Sequence, residues 1–220
     1  MASNFLAATP RPYPDPRATI EAFCKSEFDG NEDAFTMVSL SLARQKEFHK
    51  KYPGEIISIG NMISGPYDSI PVQVVNSYRI TNLTVTEDTA VATVDYDVVG
   101  EFKNDDKSNC ANKFVLSDNK LNNVLIKLRY NNGKNGMGWI RGRAWYIEDP
   151  SCPKISKEAL LRLCLKKVAE FQEIGKIEKR EGRPVLSNIA SGIKIYKEKA
   201  DVLQNLNKAV PPSSPMAKEP

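Results

Sequence analysis

The sequence holds one histidine and only four cysteines in 220 residues. A single histidine, His49, excludes histidine-rich metal enzymes and most histidine-dependent catalytic triads. Cys24, Cys110, Cys152 and Cys164 are scattered without any C-x-x-C pair, which excludes the usual zinc-ligand spacing. No apolar run approaches the roughly 18 residues of a membrane span. Charge of one sign is also scarce. Against 27 Asp+Glu stand 31 Lys+Arg, for a net +4, too small an excess to call for nucleic acid. The first ten residues lack a basic region followed by the apolar stretch of a secretory signal. As written, the chain is expected in the cytoplasm; an upstream signal missing from it would make the protein periplasmic or secreted. In an oxidising compartment Cys110 and Cys152, both in polar stretches, are the candidates to pair.

What is present reads as a globular chain, with 41% apolar and 26% charged residues. Residues 1–14 are proline-rich and form an extended lead-in. Asp15 then stands as an N-cap before Pro16 at the first helical position. Ile20, Phe23, Cys24 and Phe28 follow at helical spacing, which predicts a helix over 16–28, ended by Asp29-Gly-Asn31. A second helix is expected over 32–51. Beyond Pro53-Gly54 the apolar period switches from about 3.6 to 2. Val72–Val85 and Thr89–Val99 read as strands, the latter with Ala90, Ala92, Val94, Tyr96 and Val98 on one face. A polar loop is expected over 103–112. Asn123–Asn131 and Trp139–Glu148 read as two further strands around an Asn/Gly-rich turn. Asp149-Pro-Ser-Cys-Pro153 breaks the sheet. Helices over 157–175 and about 185–208 follow, with a charged linker between them. The expected organisation is a domain over 15–150, a helical extension over 151–210 and a disordered tail over 211–220.

Two N-terminal helices followed by a curled antiparallel sheet make an α+β arrangement. Asp15–Phe23, Tyr78–Val85, Asp88–Val94 and Gly138-Trp-Ile-Arg141 together resemble the NTF2-like (nuclear transport factor 2-like) superfamily, over about residues 15–148. The acidic turn Glu27-Phe-Asp-Gly-Asn31 and the Gly-Trp strand are similar to features common in that family. The resemblance implies an α+β cone with a pocket between the first helices and the concave sheet. Some members of the family are isomerases or dehydratases working with Asp, Tyr and His there, and many others only bind ligands or partners. Fold alone does not choose between these.

The candidate ligand pocket is therefore placed near Tyr78, Tyr96 and Tyr130. An isomerase-type site needs a carboxylate in an apolar pocket beside a tyrosine. Asp95 and Asp97 alternate away from Tyr96, so its own strand does not supply one, and no catalytic residue is assigned. His49 lies among charged residues and reads as exposed. A candidate anion-binding face is formed by Arg129, Trp139, Arg141, Arg143 and Trp145, since guanidinium groups beside indoles hold carboxylates or phosphates. The competing reading is a solvated ladder neutralised by Asp95 and Asp97. Gly133, Gly136 and Gly138 lack the context of a phosphate loop. Leu186, Ile189, Ile193, Tyr196, Ala200 and Leu203 recur at 3–4-residue spacing, a candidate association seam or the buried stripe of a helix folded on its own chain. No metal or cofactor is called for. The expected function is a non-enzymatic ligand- or partner-binding or assembly module. Its partners would be a second copy or another protein, through the sheet or C-terminal helix, or a small apolar or anionic ligand. The alternative is a small-molecule isomerase or dehydratase.

Overall fold

The computed structural model describes residues 15–31, 34, 37–39, 42–51, 71–105, 108–117, 120–132, 143–182, 184 and 187–209. In chain order the elements are α1 (Pro16–Phe28), β1 (Val38–Ser39), α2 (Leu42–Lys51), β2 (Val72–Thr86), β3 (Thr89–Asp105), β4 (Ser108–Leu116), β5 (Lys120–Asn132), β6 (Arg143–Glu148), β7 (Lys154–Ser156), α3 (Lys157–Arg180) and α4 (Ser187–Ala209). The class is α+β, as expected. The chain divides into two compact units, residues 1–156 and 157–220.

In the first unit, α1 starts where the sequence directs. The Asp15 carboxylate accepts the Ala18 N–H at 2.8 Å, with Pro16 inside the first turn. Gly30, with φ +64°, closes the other end, and the Asn31 N–H donates to the Ser26 carbonyl at 2.8 Å. The helix turns Ile20, Phe23, Cys24 and Glu27 inward, all buried.

Among the described residues the sheet is mixed and seven-stranded, ordered β1-β6-β5-β3-β2-β7, with β4 also paired to β3. One edge of β3 carries β2 along its whole length. Its other edge is shared, by β5 over Thr89–Asp97 and by β4 over Gly100–Asp105. Ala90, Ala92, Val94, Tyr96 and Val98 of β3 face the core, as their alternation predicts, with Ile126 and Leu128 of β5 and Trp145 and Ile147 of β6.

Topology forces this sheet to curl. β6 ends at Glu148, whose register runs through Lys127 and Val91 to Thr84 on β2. β7 begins at Lys154, opposite Gln73 on the same β2. In a flat sheet these two chain ends would lie roughly 40 Å apart, from the strand rise and spacing. Residues 149–153, fully extended, close only about 21 Å. The sheet must bend, and the register shifts in β2 at Val74/Val75, Val75/Ser77 and Ile80/Asn82 are where it does so.

Several expectations need correction. The sheet runs on to Ser156, past the break expected at Asp149–Pro153, because β7 pairs in parallel with β2; α3 then starts at Lys157, as expected. Val38–Ser39 is a strand parallel to β6, which interrupts the single helix expected over 32–51; Leu42–Lys51 is helical. The polar 103–112 stretch contains the end of β3 and the start of β4, a ladder whose hydrophilic composition disguised it. The charged segment after residue 175 continues α3 to Arg180. Its Lys and Glu residues lie on a solvated helix face, with Lys176 and Glu173 3.3 Å apart.

The second unit is a pair of packed helices, α3 and α4, joined by a short connection in which Gly182 has φ +69°. Gly192, a weak helix former, lets the ring of Phe171 approach, since a Cβ there would meet it at 2.9 Å. Phe171 also stacks near Tyr196, with centroids 6.0 Å apart.

A second close approach lies in the sheet. A Cβ on Gly100 would run into the Phe114 ring and stand 2.7 Å from the Val115 carbonyl oxygen. Gly100→Ala is therefore expected to lower stability by about 1–3 kcal/mol, seen as a lower urea midpoint. Phe114→Leu in the same chain should recover only part of the loss, because the backbone oxygen remains. An unchanged midpoint for Gly100→Ala would contradict this contact.

Candidate functional site

A buried pair of opposite charges sits where α1 meets the end of the crossing segment. Glu27 is the i+7 position of the inward stripe of α1, and Lys154 is the first residue of β7; both are buried. The Lys154 ammonium donates to the Ser151 hydroxyl at 2.8 Å and to the Cys152 carbonyl at 2.7 Å. It also lies 5.1 Å from the centre of the Tyr96 ring. The Glu27 carboxylate accepts the Lys154 backbone N–H. Burial pushes the Glu27 carboxyl up to about 7, although the Lys154 ammonium and backbone N–H pull the other way.

Beside this pair is a cavity of about 130 Å³. Phe23 and Glu27 line it from α1, residues 125–127 from β5, and Glu148 to Ser151 together with Lys154 from the crossing. Glu148 is ion-paired with Arg129 at 2.9 Å, and Asp149 faces Arg44 at 3.9 Å. One wall is thus apolar and another carries a buried acid and a buried base.

The three candidate tyrosines are only partly brought together. Tyr78 and Tyr96 are register partners on β2 and β3, their ring centroids 6.5 Å apart. They line an open cleft of about 560 Å³ with Arg79, Asp95, Asp97 and Lys120. Tyr130 lies roughly 30 Å away along β5, packed on Trp145 with centroids 5.5 Å apart. The Tyr96 hydroxyl is 3.9 Å from the Cys24 thiol. Burial raises both groups, the thiol to about 12 and the phenol further. In the cleft, Asp95 accepts the Asn123 N–H at 2.9 Å and lies 3.2 Å from Arg79. These contacts hold its carboxyl below the usual range, the Asn123 hydrogen bond foremost.

The proposed anion-binding face is not one surface. The β5–β6 register sets Arg129 opposite Tyr146 and Tyr130 opposite Trp145. Paired residues share a face, so Arg129 points to the outer side and Trp145 to the core. A register one residue from that expected moves every side chain to the other face. Glu148 neutralises Arg129, while Asp95 serves Arg79. Arg143 is exposed on the Trp145 side of β6. Trp139 and Arg141 lie outside the described residues, as do Leu186 and the side chain of His49. On α4, Ile189, Tyr196 and Leu203 are buried and Ile193 half-buried, with Tyr196 against Phe171 of α3. Cys152 donates its S–H to the Pro71 carbonyl at 2.9 Å; the side chain of Cys110 is outside the described residues.

Among the described residues no cluster of three or more His, Cys, Asp or Glu is placed to hold a metal ion, and no helix is long and apolar enough to cross a membrane. No family model, no curated protein and no solved structure matches the chain.

Sequence reasoning passed over Glu27 and Lys154. The signal for Glu27 was present: it continues Ile20, Phe23 and Cys24 at i+7 on the stripe, a carboxylate at a core position. Lys154 carries none, since only the parallel pairing of β7 with β2 buries it.

The raised Glu27 group makes stability fall as pH rises. Unfolded, Glu27 releases its proton near 4.5, and folded only near 7. Between these values the native state binds more protons, so going from pH 5 to pH 8 costs the fold up to about 3 kcal/mol. Urea unfolding should show Glu27→Gln close to wild type at pH 5 and more stable than wild type at pH 8. Lys154→Met should do the reverse, losing more at pH 8, where it leaves the carboxylate without its cation. Parallel pH profiles for all three proteins would refute the assignment.

Proposed function

We propose that the chain is a non-enzymatic binding module of NTF2-like type, whose ligand site is the cavity beside Glu27 and Lys154. The observation that carries this reading is a cavity of about 130 Å³ with a buried acid–base pair in its wall. An apolar cavity of roughly 150 Å³ takes up benzene, so this one suits a ligand of about six non-hydrogen atoms. Precisely placed polar groups in a preformed hollow are what small-molecule sites use to fix orientation. The strongly curled sheet, with α1 packed on β2, β6 and β7, supports the NTF2-like assignment.

The alternative is an isomerase or dehydratase, favoured by one observation. A Glu27 carboxyl at about 7 is poised as a general base. Such chemistry also needs a donor at the same substrate, and the cavity's own ammonium, Lys154, is already engaged by the Ser151 hydroxyl, the Cys152 carbonyl and the Tyr96 ring. Tyr96 lines the other cleft, with its hydroxyl against Cys24, and does not line the Glu27 cavity. Of the two carboxylates of that cleft, Asp95 and Asp97, the first is held in its ionised form and is a weak base. The binding reading is therefore preferred.

Saturation-transfer NMR of the full chain against a mixture of compact molecules, including phenol, 2-pyrrolidinone and butyrate, tests it. Binders are expected, their signals lost in Leu125→Trp, which fills the mouth from an exposed position. The mixture should remain chemically unchanged after prolonged incubation. Turnover abolished by Glu27→Gln would instead establish the enzyme.

A further inference from the structure

We propose that the Glu27–Lys154 cavity takes a short-chain monocarboxylate together with one proton, the ligand carboxylate bonded to the neutral Glu27 carboxyl and facing the Lys154 ammonium. This rests on the binding-module reading and names its ligand class.

Charge favours an anion over a cation. A cationic ligand would meet the Lys154 ammonium and Lys127 in the same wall. An anion entering beside ionised Glu27 would place two carboxylates together, which drives a proton onto one of them. With Glu27 neutral, the lining and its paired neighbours offer Lys127, Lys154, Arg129 and Arg44 against only Glu148 and Asp149. The hydrogen bond is then between a carboxylic acid donor and a carboxylate acceptor, one of the strong charge-assisted kind. Phe23 and Ile126 supply the surface for a short apolar tail. Butyrate, with six non-hydrogen atoms, matches the volume of a benzene-sized cavity.

The groups that face Glu27 are Lys154 and, through the field, Tyr96 from β3, Cys24 from its own helix and Cys152 from the crossing, whose thiol burial pushes up to about 11. Lys127, Glu148 and Asp149 share its cavity. Burial holds Tyr96 and Cys24 protonated well above neutrality, so Glu27 is the group that titrates near pH 7. Binding above that pH has a defined balance: ionised Glu27, one proton from solvent and one carboxylate anion combine to form the complex.

Calorimetric titration of the full chain with sodium butyrate tests the proposal, with phenol as a neutral probe of similar size. Butyrate should bind about tenfold more weakly at pH 8 than at pH 6. Titrations at pH 8 in buffers of different ionisation enthalpy should report close to one proton taken up per ligand. Glu27→Gln, with its fold checked by circular dichroism, should bind butyrate with no such dependence on pH. Wild-type butyrate binding that is unchanged between pH 6 and pH 8, or without proton uptake, overturns the proposal. Binding of phenol but not butyrate overturns it and leaves the binding module standing. Binding of neither probe, at a cavity that accepts no member of the wider mixture, overturns both.

Discussion

The shortness of the connection from β6 to β7 governs the first unit. Residues 149–153 must join strands whose registers on β2 lie far apart, and they can do so only across a bent sheet. The bulges of β2 absorb that bend. The same crossing delivers Lys154 to the buried side of β7 and lays Asp149, Pro150 and Ser151 along one wall of a cavity. Site and curvature therefore have one cause. A longer crossing would permit a flatter sheet and would leave Glu27 without its cation.

The pairing of Glu27 with Lys154 is an electrostatic compromise. Burying a carboxylate and an ammonium costs more than their mutual attraction returns unless further hydrogen bonds satisfy both. Lys154 is well served by Ser151, the Cys152 carbonyl and the Tyr96 ring. Glu27 has the Lys154 backbone N–H and ammonium, and its raised pKa shows that burial still dominates. A group left in that condition is ready to exchange its proton when its surroundings change. That property separates this pair from the solvated ion pairs elsewhere on the chain, such as Arg17 with Glu21 or Lys194 with Glu198.

What the sequence made legible was periodicity. The cap at Asp15, the stripe of α1, the inward faces of β3 and β5 and the two C-terminal helices all follow from spacing. What it concealed depends on partners distant in the chain. β1 and β7 are two and three residues long, and each exists through a parallel neighbour far away in sequence. No local pattern announces such strands. The face assignment of Arg129 and Trp145 failed for the related reason that alternation within each strand is legible while the register between strands is not. Each tyrosine's face is legible only within its own strand. Only the sheet shows that Tyr78 meets Tyr96 while Tyr130 sits at the far end of β5. Glu27 is a charged residue on an apolar stripe, and beside Asp29-Gly-Asn31 its local sequence points to the edge of a turn, although the helix buries it.

The two parallel pairings also bear on the order of assembly. β2–β3, β3–β4 and β5–β6 are neighbours in the chain, and their contacts close short loops. β1 with β6 and β7 with β2 join segments separated by most of the domain, contacts that form slowly because the loop entropy precedes their reward. The wall that Lys154 contributes belongs to this late set. The cavity therefore exists only once these long-range pairings are in place. A state that keeps the long hairpins around β3 but loses β7 has no site.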